Sequence, residues 1–134
     1  MEPPRSDVTG RRRSVALAGH VGDERTARDG LADAAPTVRA TALGALDRLG
    51  ALGEDELSTA LVDPDPVVRR RACELAASNS GCDIAAALAD PDPSVVEMAA
   101  WALGEREDRE AVPALSLLAG SGQGHRDPLC REAA

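Results

Sequence analysis

Val62-Asp63-Pro64-Asp65-Pro66-Val67-Val68-Arg69 returns 27 residues later as Ala89-Asp90-Pro91-Asp92-Pro93-Ser94-Val95-Val96. A looser copy precedes the pair at Ala32-Asp33-Ala34-Ala35-Pro36-Thr37-Val38-Arg39, and a fourth follows at Arg126-Asp127-Pro128-Leu129-Cys130-Arg131. The shared prolines, Pro36, Pro66, Pro93 and Pro128, stand 30, 27 and 35 residues apart. A recurrence of that length is the mark of stacked supersecondary units, each too small to bury its apolar face alone. The quoted segments also carry the physics of a helix start. Asp65, Asp92 and Asp127 supply a carboxylate to the orphan amides of a first turn, and the proline after each of them occupies the first helical position, where no amide donor is needed.

Apolar residues run on from these starts at helical spacing, as in Val38, Ala42, Ala45, Leu46 and Leu49, and in Val95, Ala99, Ala102 and Leu103. A second, shorter helix is expected in each unit, on Leu57, Ala60 and Leu61, on Ile84, Ala85 and Leu88, and on Val112, Leu115 and Leu118. The unit is therefore helix, turn, helix. Residues 32–61, 62–88 and 89–118 form repeats 1 to 3, and 119–134 a loop and an incomplete repeat 4. Upstream, 11–31 reads as a degenerate leading repeat with helices over Arg12 to Gly19 and Arg25 to Leu31, and 1–10 as a disordered tail. The last first-helix stops at Ala134 without a cap, which reads either as a fragment of a longer chain or as an apolar face covered by a partner or by a second copy, with self-association through that edge in the last case.

Composition agrees with thin, closely packed helices. Trp101 is the single aromatic residue, and alanine, leucine and valine dominate the 43% hydrophobic fraction. That leaves little bulk to line a deep ligand pocket. A formal net charge of -8 opposes tracking of a phosphate backbone, so nucleic acid is not expected as a partner. The cysteines, Cys73, Cys82 and Cys130, are odd in number and form no C-x-x-C pair, which fits a reducing cytoplasm and no zinc site. No apolar run is long enough to cross a membrane.

The stretch Ala99-Ala100-Trp101-Ala102-Leu103-Gly104-Glu105, with Asp108-Arg109-Glu110-Ala111-Val112-Pro113-Ala114-Leu115 behind it, resembles the HEAT-like repeats named after phycobilisome lyases. With the Asp-Pro-Asp-Pro starts, the resemblance covers roughly residues 32 to 134 and implies an all-α fold, an α-solenoid of helix-turn-helix repeats whose second helices line a concave side. Such families commonly assemble or position other proteins. The resemblance implies a non-catalytic scaffold or adaptor, with a lyase-like subunit presenting a bound chromophore to a partner as the alternative.

Candidate chemistry is sparse. Iron-binding relatives of the hydroxylase type carry repeated His-Glu pairs, whereas His20 is followed by Val21 and His125 by Arg126, so no metal or other cofactor is expected. Asp63 with Asp65, and Asp90 with Asp92, read as helix caps before acid/base couples. Cys73 and Cys130 fall on small apolar repeat positions, while Cys82 is expected to open a helix and to be the more reactive thiol. Arg39, Arg69 and Arg131 share one repeat position and suggest a structural ladder, whereas the runs Arg11 to Arg13 and Arg69 to Arg71 splay into solvent.

Trp101 lies six residues after Val95, about 240° round the helix and away from the core stripe. Packing against an adjacent repeat and anchoring a partner are both open to it. With Met98 beside it, and with Glu56, Thr59, Asp83 and Ser116 expected to be exposed on second helices, it makes up the candidate partner-binding set. The acidic balance points to a basic or amphipathic segment of another protein.

Overall fold

A computed structural model describes residues 5–79 and 81–106 of the chain. The fourth repeat copy, the helix expected on Val112, Leu115 and Leu118, and Ser116, Cys130 and Arg131 lie outside the described residues. Among those described, every regular element is helical and there is no strand, as the repeat reading requires. None of these helices is long and apolar enough to cross a membrane. The chain divides into two compact units, Met1–Leu57 and Ser58–Ala134.

The first unit holds α1 (Arg5–Val21), α2 (Glu24–Asp29), a 3-10 turn (Gly30–Ala32), α3 (Pro36–Arg48) and the start of α4 (Glu54–Leu61). Helices α1 and α3 pack side by side and α2 closes on both. Their core is Val15, Ala18, Ala27, Val38, Ala42, Ala45 and Leu46, with Val8, Leu31 and Leu49 on its rim. Small residues let the helices come close: an added Cβ on Gly19 of α1 would stand 2.9 Å from the Ala45 Cα.

Helix α1 corrects the expected boundary. It reaches back to Arg5, into the stretch 1–10 read as a disordered tail, because Val8 packs on the core and Asp7 pairs with Arg11 one turn on. Its end and that of α3 are set by glycine. Gly22 and Gly50 take φ values of 82° and 69°, which a side chain would oppose. After α3, the Ala51 amide donates to the Leu46 carbonyl at 2.8 Å and the Gly50 amide to Asp47 at 3.0 Å, the paired bonds of a Schellman close. Asp23 does double duty, donating its amide back to Ala18 at 3.0 Å and accepting from the Thr26 amide at 3.1 Å to start α2.

The second unit holds the rest of α4, then α5 (Pro66–Ala76), a 3-10 turn (Ala85–Ala89) and α6 (Pro93–Glu105). Here α5 and α6 pack together and the 3-10 turn lies against α6. Cys73, Val95 and Ala99 form the centre, with Leu61, Ala87, Leu88 and Met98 packed on it. The α-helix expected on Ile84, Ala85 and Leu88 is thus a single 3-10 turn, closed by Ala87 to Ile84 at 3.0 Å and Asp90 to Ala87 at 3.1 Å. Five residues between the Asp83 turn and the next repeat's Asp90 are too few to repay nucleation of an α-helix, and the tighter i to i+3 pattern spans them.

Candidate functional site

The aspartates that open the repeats divide into two structural roles. Asp65 accepts from the Val67 amide at 2.9 Å, and Asp92 from the Ser94 amide at 2.8 Å and the Ser94 hydroxyl at 2.6 Å, so these two are the caps. Those bonds, the hydroxyl first, hold the Asp92 carboxyl below the ordinary Asp range. Asp63 and Asp90 do not cap. They accept from the amides of Asp65 and Asp92 at 2.9 Å and fold the turn ahead of the helix, as Asp33 does with the Ala35 amide at 2.8 Å.

Asp33 and Asp90 also take a guanidinium. Arg69 donates Nε to Asp90 Oδ2 at 2.8 Å and Nη2 to Oδ1 at 3.1 Å, and Arg11 grips Asp33 with the same two distances. Arg69 Nη1 further donates to the carbonyls of Asp63 and Pro64, and Arg39 repeats this on Asp33 and Ala34. The expected arginine ladder is present at Arg39 and Arg69. Arg11, read as part of a solvated run, is a rung of it, and its bond is the first cause that keeps the Asp33 carboxyl below the ordinary range. These charges are committed to holding repeats together, and Arg11 and Asp33 also stand in the wall of a cavity of about 420 Å3 in the first unit.

The cysteines offer no accessible nucleophile among the described residues. Cys73 is fully buried, and burial pushes its thiol up to about 11. Cys82 corrects its expectation: it sits in a bend rather than at a helix start and is buried, with its Sγ 3.5 Å from the Ser58 hydroxyl and its carbonyl accepting from Arg106. His20 lies 3.0 Å from the Arg48 guanidinium, and no group of three His, Cys, Asp or Glu gathers among the described residues.

In the second unit a cavity of about 410 Å3 lies on α5 and α6, with Glu74, Glu97, Met98 and Trp101 among its walls. Trp101 is 46% exposed, a large value for an indole in a chain with no other aromatic residue. Glu97, Met98 and Trp101 share one face of α6 because they stand at i, i+1 and i+4. Glu74 reaches the same cavity from α5, where it holds the repeat position equivalent to Trp101. Glu74 stands six residues after Val68 as Trp101 stands six after Val95, and stacked repeats bring such equivalent positions alongside one another. Around the wall, Ala99, Ala100, Ala102 and Leu103 are buried and fix α6 in place.

The other partner candidates do not join this cavity. Glu56 is half-buried rather than exposed, and its carboxylate accepts from Arg28 at 2.6 Å. Its own backbone amide first, and then Arg28, hold it below the ordinary Glu range. Thr59 is exposed on α4, and Asp83 is exposed with its carboxylate accepting from the Ala85 amide at 3.0 Å. Met98 and Trp101 are therefore the two candidates that the structure brings together.

Comparison with known proteins gives one family. The family described as HEAT repeats matches residues 54–134, from the start of α4 onward. No curated protein matches the chain.

Proposed function

The chain belongs to the HEAT repeat family, and on that premise we propose that it is a non-catalytic scaffold that holds another protein through the Trp101 face of α6. HEAT repeats generally mediate protein interactions. The observation that carries the reading for this chain is the exposed indole of Trp101 beside Met98, since a large apolar side chain left in water over a formed cavity is what interface anchors look like before their partner arrives.

Two further points support it. The arginines and aspartates at the repeat starts are used in caps and rungs, so their hydrogen-bonding capacity goes to holding the helices. The net charge of -8 favours a basic or amphipathic segment as the occupant, in a cytoplasmic setting where buried thiols stay reduced. The Ala99 to Glu105 stretch resembles the phycobilisome lyase type of repeat, and a bound chromophore is the alternative that this resemblance suggests. The test is affinity capture of the tagged protein from its native extract with mass spectrometry of proteins and small molecules alike. A stoichiometric protein partner is expected. A retained pigment or metabolite without a protein partner would replace the scaffold reading by a carrier or enzyme.

A further inference from the structure

The walls of the Trp101 cavity carry more chemical information than its apolar content. Trp101 offers the aromatic face that attracts cations most strongly. Glu97 stands one turn before it on α6 and has no ion-pair partner among the described residues. Glu74 faces the cavity from α5, and its Oε2 accepts from Arg71 at 2.7 Å in a pair that is more than a third exposed on both sides. Such a pair holds weakly and exchanges readily. Met98 completes the wall with a polarizable thioether suited to an aliphatic stem.

We infer that this cavity is a docking site for an arginine side chain carried on a basic segment of a partner protein. The inference rests on the scaffold reading and names the chemistry of its partner. Charge complementarity selects the occupant. A purely apolar helix seated here would strip water from the Glu97 carboxylate and give it nothing in return, and an acidic segment would meet two carboxylates on a chain of net charge -8. A guanidinium meets all three demands at once: its plane stacks on the indole, its fork donates to carboxylates on either side, and its three-carbon stem lies along Met98. The lysine ammonium is a strongly hydrated point charge and supplies only part of this. At about 410 Å3 the cavity has room for such a side chain together with some of the backbone that carries it.

The test uses the full chain, because Trp101 is its one tryptophan and it has no tyrosine, so its emission reports on this cavity alone. Blocked tri-arginine is titrated against tri-lysine and against tri-citrulline, which keeps the shape and loses the charge. A saturable change of Trp101 emission with tri-arginine is expected, weaker with tri-lysine and absent with tri-citrulline. Glu97→Gln, at a position with no ion pair to lose among the described residues, should weaken tri-arginine binding roughly fivefold by removing one charge-assisted contact. An equal response to tri-citrulline, no saturable response to tri-arginine, or unchanged affinity in Glu97→Gln would overturn the assignment. A native partner retained equally by the unaltered chain and by Glu97→Gln overturns the arginine site and leaves the scaffold reading standing. Tri-arginine binding with no protein partner captured overturns the scaffold reading and upholds the site.

Discussion

Two glycines of α1 provide a direct test of how closely the helices of the first unit approach. Gly10 and Gly19 both sit inside α1, and replacing either with alanine brings the same gain in helix propensity, up to about 1 kcal/mol. Their surroundings differ. A Cβ on Gly10 meets nothing within 4 Å, whereas a Cβ on Gly19 would stand 2.9 Å from Ala45 Cα, 3.0 Å from its Cβ and 3.3 Å from its carbonyl oxygen. Ordinary carbon contacts lie at about 3.5–4.0 Å. The obstructing atoms are backbone and Cβ, so no rotamer change relieves them, and α1 must move off α3 by several tenths of an ångström. Overpacking of this kind costs about 1–3 kcal/mol, which outweighs the propensity gain. Gly10→Ala should therefore raise stability by a few tenths to about 1 kcal/mol and Gly19→Ala lower it by up to about 2 kcal/mol. With a urea slope of about 1–1.5 kcal/mol/M, the two midpoints should separate by about 1–2 M when unfolding is followed by helical circular dichroism. Equal stabilisation by both substitutions would refute the close approach of α1 to α3.

The remaining expectations concern the ladder, acid and thiols. Arg69→Ala should cost about 2–3 kcal/mol through loss of its charge-assisted bonds to Asp90, and Asp92→Ala about 1 kcal/mol through loss of a cap, in the same urea assay; equal costs would mean that the rung is no stronger than a cap. Asp33, Asp92 and Glu56 bind protons less readily folded than unfolded, so the stability they contribute is present above the ordinary carboxylate range and is lost as pH falls through it and below. Urea midpoints should hold from about pH 7 to 5, with some relief of acidic repulsion, and drop below about pH 4; a midpoint at pH 3 equal to that at pH 7 would contradict the assignment. In the native protein at neutral pH, peptide mapping after brief maleimide treatment should find Cys73 and Cys82 unmodified, since both are buried and the Cys73 thiol is pushed up to about 11. Rapid labelling of either would show that its unit opens far more readily than this packing allows.

What was legible in the chain follows from the range of the interactions involved. Asp65 before Pro66 and Asp92 before Pro93 mark helix starts by local chemistry, and α5 and α6 begin at those prolines. Helix α3 begins at Pro36 behind Ala35, which has no side-chain cap, so proline alone sufficed there. Helix α1 is described from Arg5 onward, and its early turns depend on Val8 reaching a core shared with α2 and α3. Arg11 finds Asp33 across 22 residues and Glu56 finds Arg28 across 28, pairings that only the repeat register or the fold itself discloses. The 3-10 turn at Ala85–Ala89 has apolar residues at helical spacing, and it is the shortness of the segment that decides its form. At the site, the position of Trp101 off the core stripe was visible from spacing. Its exposure was not, because that depends on how much neighbouring side chain surrounds it, and the described residues beside it in the wall are two glutamates and a methionine.

Hydrogen exchange measured on the chain alone and with the protein captured from its native extract tests the central claim, that the Trp101 face is where a partner sits. New protection is expected in peptides covering Glu97 to Arg106 and the Glu74 turn of α5, with smaller changes along α1 to α3. Protection confined to the first unit, with the Met98 and Trp101 peptides exchanging as they do in the free chain, would contradict it.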